Sequence, residues 1–144
     1  MRILGIDYGE ARVGTAITDS LNITVQGLKT IQRNNSDKIV LREIDSILEQ
    51  YEVDTIVVGM PLNMNGTISE RAKITEQFVH KLKCKYNKMK IETIDERLTT
   101  VEAHKTMNFL DINKNKKKNI VDTISAVYIL ETYLNKLKNS LKKN

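Results

Sequence analysis

The residues of this chain best suited to chemistry are carboxylates at the ends of short apolar strands. Asp7 follows residues 3–6 inside GIDYG, Asp95 and Glu96 follow residues 90–94, and Asp122 stands in the first turn of an apolar helical segment. If the first and last of these strands are parallel neighbours, the acids meet at one edge. Gathered carboxylates repel one another, which raises a pKa or calls for a cation. With oxygen donors alone and no Cys/His ligand pattern, Mg²⁺ or Mn²⁺ is the matching ion. Two such ions ~3.5–4 Å apart activate a water and stabilise the leaving oxygen of a phosphodiester. Each acid also has a plainer role. Asp7 suits a turn before glycine, Asp122 suits an acidic partner of a cap at Asn119, and Asp95 or Glu96 suits a surface pair with Arg97. Side chains alternate along a strand, so Asp95 and Glu96 face different ways; spacing alone does not choose between them.

The positioning elements follow from periodicity. Residues 3–6, 13–18 and about 25–31 read as three neighbouring strands joined by turns containing Gly and Asp. Ser36 caps a helix whose Val40, Ile44, Ile47, Leu48 and Tyr51 share one face. Residues 55–58 form a buried strand that ends at GMPLNMNGT, a loop punctuated by Gly59, Pro61 and Gly66. Ala72, Thr75, Phe78, Val79, Leu82 and Tyr86 mark a second helix, and residues 90–94 a fifth strand. Thr99 and Glu102 make a capping box for a short helix to about Phe109, residues 113–119 read as a lysine-rich loop, and residues 120–134 as a largely buried last helix. Adjacent strands early and alternation late imply a mixed sheet, with sites beyond the carboxyl ends of its strands.

Composition narrows the classes. The 144 residues fit one domain. We assign it to 1–137, with a Lys/Asn-rich tail at 138–144. A single cysteine, Cys84, excludes an intramolecular disulfide. No run approaches the ~20 apolar residues of a membrane span and no signal-like leader is visible, so the expectation is a cytoplasmic protein without a membrane partner. The net charge of +5 is concentrated late: residues 114–144 hold eight lysines against two acids. Such clusters suit polyanions, by release of condensed counterions, or simply a solvated tail. His80 and His104 read as helix-surface residues.

GIDYG followed by a hairpin also resembles the phosphate-binding region of actin-like ATPases and sugar kinases, but those pair two related domains and this chain has room for one. The G-x-G-x-x-G spacing of a Rossmann site is missing. Four stretches together resemble the YqgF/RuvX family, described as pre-16S rRNA nucleases and as Holliday junction resolvase-like proteins: LGIDYGEARVGTAITD (4–19), IVVGMPLNMNGT (56–67), IDERLTTVEA (94–103) and KKKNIVDTISAVYILETYL (116–134). The resemblance implies an α/β, RNase H-like fold: a mixed five-stranded sheet, three antiparallel strands then alternating helices and parallel strands, flanked by helices. It implies a Mg²⁺- or Mn²⁺-dependent nuclease that processes the 5′ end of pre-16S rRNA in the cytoplasm. Asp7, Glu96 and Asp122 then bind metal and act in catalysis, with Glu96 favoured over Asp95. Substrate contacts are assigned to Arg97, Thr99, Thr100, Asn63, Asn65 and the lysines 114, 116, 117 and 118 (Lys114, Lys116, Lys117, Lys118). The alternatives are cleavage of branched DNA, which would need a homodimer, and a ribosome assembly factor that binds nucleic acid without cutting; the protein is expected to be a monomer or a homodimer.

Overall fold

In the computed structural model, residues 1–63, 65–95 and 114–142 are described. Five strands, β1 (Arg2–Tyr8), β2 (Arg12–Thr18), β3 (Val25–Gln32), β4 (Val53–Met60) and β5 (Lys90–Asp95), combine with three helices, α1 (Asp37–Gln50), α2 (Glu70–Lys85) and α3 (Lys114–Lys142). The sheet runs β3-β2-β1-β4-β5. β1, β2 and β3 pair antiparallel, whereas β4 and β5 join in parallel. The condition that the first and fifth strands be direct neighbours is not met: β4 lies between them. Its β-branched run Thr55–Val58 is buried on both faces of the sheet, which suits a central position.

Strand alternation divides the core. Leu4, Ile6 and Tyr8 of β1, with Ile56 and Val58 of β4, pack against Val40, Ile44 and Ile47 of α1 and Phe78, Val79 and Leu82 of α2. Ile3, Ala16, Val57 and Ile94 instead meet Ala126, Ile129, Leu130, Tyr133 and Leu134 of α3. Both α1 and α2 start at serine caps: Ser36 accepts from the Lys38 amide and Ser69 from that of Ala72. Each fully buried Leu, Ile or Phe contributes roughly 1.5–3 kcal/mol, so these layers hold the strand ends in register.

α3 lies unusually close to the sheet because two of the positions beneath it are glycines. A Cβ on Gly5 would stand 2.5 Å from Leu130 Cγ, and one on Gly27 would stand 2.2 Å from Thr123 Cγ2. Thr123 therefore sits over β3 and Leu130 over β1. Hydrogen bonding of Tyr133 to Glu92, which holds that carboxyl below its usual range, ties the next turns to β5.

Two further expectations change. Gly59 belongs to β4 rather than to the following loop, and residues 114–119 are helical rather than a lysine loop. No Pro or Gly interrupts that stretch, lysine is a good helix former, and the buried turns from residue 123 onward propagate into it at little cost. The same helix continues through residues 138–142. The short helix expected to residue 109 lies outside the described residues.

Candidate active site at the carboxyl edge of the sheet

Asp7 occupies the penultimate position of β1, in the middle of the sheet. Its strand neighbours Leu4, Ile6 and Tyr8 pack under α1 and α2, so Asp7 shares the opposite, α3-covered face with Ile3 and Gly5. The carboxylate is only 8% exposed. Across β2 it pairs with Gly14, and Gly14 pairs with Thr30 of β3. On the other side β1 matches β4 at Ile6–Val58, so the next step of the same register sets Asp7 level with Gly59; Gly59 in turn pairs with Ile94. The row thus reads Thr30, Gly14, Asp7, Gly59, Ile94. In this row a buried carboxylate stands between two positions without side chains.

The helix above reaches the same row. Thr123 Oγ1 lies 3.0 Å from Thr30 Oγ1 and Leu130 covers Gly5, so α3 crosses the sheet from β3 at Thr123 to β1 at Leu130. Asp122 precedes Thr123 on this helix, one turn before the buried Ala126; because the helix already begins at Lys114, Asp122 stands in its interior rather than in its first turn beside a cap at Asn119, and its side chain lies outside the described residues. Ser125, in the intervening turn, is 1% exposed, and its hydroxyl has no hydrogen-bond partner among the described residues. A buried hydroxyl left so is costly unless water or another group completes it.

The other candidates divide. Asp95 is exposed and falls on the face of Ile91, which packs with the α1/α2 core, opposite Asp7. Glu96, Arg97, Thr99 and Thr100 lie outside the described residues. Asn63 and Asn65 form a turn: Asn63 Nδ2 donates to Thr67 Oγ1 at 3.0 Å, and Asn65 Oδ1 accepts from the Thr67 amide at 3.1 Å and hydroxyl at 2.7 Å. Lys114, Lys116, Lys117 and Lys118 are in the first turns of α3. Among the described residues no three acids, histidines or cysteines form a metal cluster. Gly14, Gly59, Thr30 and Thr123 escaped the sequence reading as site residues; only the register relates them to Asp7.

A network behind the strand end anchors it. Tyr8 Oη donates to Asp37 Oδ1 at 2.5 Å, Arg33 Nε to the same oxygen at 2.9 Å, and Lys81 Nζ to Oδ2 at 2.7 Å. The Tyr8 ring stacks on Phe78 with centroids 4.1 Å apart. Burial and the adjacent Asp37 carboxylate push the Tyr8 hydroxyl up to about 12. Burial pushes the Asp37 carboxyl up, but bonds from Lys81, Tyr8 and Arg33 outweigh it and hold the group below the ordinary carboxylate range. A carboxyl depressed in the folded state adds stability above its unfolded pKa of ~3.9 and loses it as pH falls through the folded value. Asp37→Asn is therefore expected to cost about 1–3 kcal/mol near neutrality. The gap from wild type should shrink in urea titrations below about pH 4; a gap independent of pH would contradict the assignment.

The architecture is that of an RNase H-like α/β domain. The Thermus thermophilus RuvC structure superposes with a TM-score of 0.53 at 9% identity, covering 96% of this chain and 97% of that one. The family model described as "RuvX: Holliday junction resolvase" matches residues 1–136, and the chain belongs to that family. It is 48% identical over 142 residues to a protein of Ruminiclostridium cellulolyticum named "Putative pre-16S rRNA nuclease", covering 99% of each. A protein of the same name from Clostridium tetani is 48% identical over 139 residues, covering 96% of this chain and 99% of its own. No helix among the described residues is long and apolar enough to cross a membrane.

Proposed function

We propose that this protein is a divalent-metal-dependent nuclease that hydrolyses RNA phosphodiesters near the 5′ end of pre-16S rRNA in the cytoplasm. The observation that carries the reading is Asp7, buried between Gly14 and Gly59 at the carboxyl edge of the sheet and on the face that α3, the helix bearing Asp122, covers. The donors suit a hard cation: a carboxylate flanked in its row by two glycines and, in the covering helix, the buried Ser125 hydroxyl that lacks a partner among the described residues. Asp7 and Asp122 would hold Mg²⁺ or Mn²⁺ together with Glu96, which we favour because Asp95 faces the other core. When bound, the ion supplies an activated water and offsets charge on the phosphate.

The chain's own residues prepare the substrate. Lysines 114 and 116–118 begin α3, where positive charge opposes the helix dipole. An RNA backbone lying there relieves that repulsion. Changing all four to alanine should flatten the slope of log K against log salt by about three for single-stranded RNA, since each neutralised phosphate contributes ~0.7; an unchanged slope would place the RNA elsewhere. Arg97, Thr99 and Thr100 are proposed to grip phosphate beside Glu96, with Asn63 and Asn65 using donor and acceptor positions left over from their turn.

Cleavage of precursor 16S RNA in Mn²⁺ by wild type and Asp7→Asn, side by side, tests the proposal. Equal cleavage by both sinks it. The family description favours a second reading, cleavage of branched DNA, which calls for a dimer presenting two symmetric sites; sizing with and without a four-way junction separates the two. A non-cutting assembly factor predicts instead that Asp7→Asn supports normal rRNA maturation in cells.

A further inference from the structure

The turn that follows Asp7 lines a second feature. On the α1/α2 side of the sheet, a cavity of about 420 Å³ opens between Tyr8, Gly9 and Glu10 of the β1–β2 turn and Arg71, Ile74 and Thr75 of α2, with Glu70 at its rim. That volume falls in the range of small-ligand sites. Its walls are built to persist. Tyr8 is clamped by Asp37 and Phe78, Thr75 is fully buried with its hydroxyl donating to the Arg71 carbonyl at 2.9 Å, and the Gly9 amide donates to the Arg12 carbonyl at 3.0 Å. Gly9 admits no larger residue, because a Cβ there would stand 2.5 Å from that carbonyl oxygen.

Its chemistry distinguishes among the parts of a nucleic acid. Ile74 is 38% exposed and supplies apolar surface at the entrance. The exposed polar groups at the rim are two carboxylates, Glu10 and Glu70, against one guanidinium, Arg71. Glu70 also meets Lys73 at 3.4 Å, whereas Glu10 has no ion pair among the described residues. A phosphate would be repelled by such a rim. An unpaired base would not: apolar walls take its ring faces, and a carboxylate accepts N–H groups from its Watson–Crick edge. Guanine suits best, since two adjacent N–H groups of that edge can meet one carboxylate side by side. Position agrees, because Gly9 is two residues past Asp7 and the chain can separate them by at most ~7 Å. A strand crossing the sheet edge at Asp7 therefore brings a base next to the scissile bond within reach of this cavity.

We propose that the cavity between the β1–β2 turn and α2 is a base-specificity subsite that takes an unpaired guanine flanking the cleaved bond, with Glu10 reading its N–H edge and Ile74 packing on its ring. The assignment rests on the nuclease reading for its register relative to the cut, though not for the binding itself.

The test is binding with metal chelated, using labelled oligouridylates that carry one internal guanosine, inosine or abasic residue and fluorescence anisotropy as the readout. Wild type should bind the guanosine oligomer about tenfold more tightly than the abasic one, with inosine between, because it keeps one of the two N–H donors. Glu10→Gln should collapse the guanosine-to-abasic ratio toward one, and Ile74→Ala should lower it, with melting temperatures confirming that both variants fold. Equal affinity of wild type for guanosine and abasic oligomers, or a ratio untouched by Glu10→Gln, overturns the proposal. Metal-dependent cleavage is scored separately. A guanosine preference without cleavage keeps the subsite and removes the nuclease reading, and cleavage without the preference does the reverse.

Discussion

Asp7→Asn should lower metal-dependent RNA cleavage by at least about a thousandfold while leaving the fold intact. The amide is nearly isosteric with the carboxylate, so the strand, the row through Gly14 and Gly59, and the covering helix keep their places. The charge is what disappears. In a site only 8% exposed, a carboxylate acts in a medium of low dielectric, where its interaction with a cation is far stronger than in water. Residues that act as one unit lose most of their effect when any one is removed, so Glu96→Gln and Asp122→Asn should be nearly as severe and the three losses should not add. A readout independent of turnover accompanies this. A ligand that binds the folded state alone raises stability with its concentration, so Mn²⁺ should raise the melting temperature of wild type and leave Asp7→Asn unmoved. Identical metal-induced shifts in both proteins would falsify the role given to Asp7.

The second large effect concerns packing. Gly5→Val should destabilise the protein by about 3 kcal/mol, a fall of about 10 °C in melting temperature for a chain of this size. Gly5 lies in β1, the middle strand of the sheet, and a Cβ there would approach Leu130 Cγ to 2.5 Å. That atom is the branch point of its side chain and has no easy retreat, so α3 must lift. Lifting the helix also moves the turn that carries Asp122, so activity should fall further than stability alone explains. Leu130→Ala on its own opens a cavity and is harmful, yet combined with Gly5→Val it should restore part of the loss, a coupling that a double-mutant cycle reads directly. Additive effects in that cycle would mean that the two residues do not share the contact.

Much of the molecule was legible in the residues. The alternation of β1 and β2, the cap at Ser36, and the apolar faces of α1 and α2 are local patterns, and each reappears in the structure with shifts of a residue or two at the ends. Gly59 and residues 114–119 were read wrongly for a shared reason. Glycine and clustered lysine are loop-like in isolation, but a central β-ladder on one side and a long buried helix on the other carry their neighbours' conformation into them. Asn63 and Asn65 show the converse, since local side-chain bonds of the kind asparagine favours shape their turn.

The sequence by itself determined the order of the strands and long helices, the carboxylates at the strand ends, the lysine cluster ahead of the apolar last segment and the family, because these depend on residue type and short-range spacing. Only the tertiary structure decided that β4 separates β1 from β5, that Asp7 stands between Gly14 and Gly59 beneath α3, and that Asp95 looks the other way. Those facts depend on strand order and register, and a shift of one residue exchanges the two faces of a sheet. The cavity beside Glu10 is of the same kind: its walls come from a turn and a helix about sixty residues apart, brought together only when both pack against Tyr8.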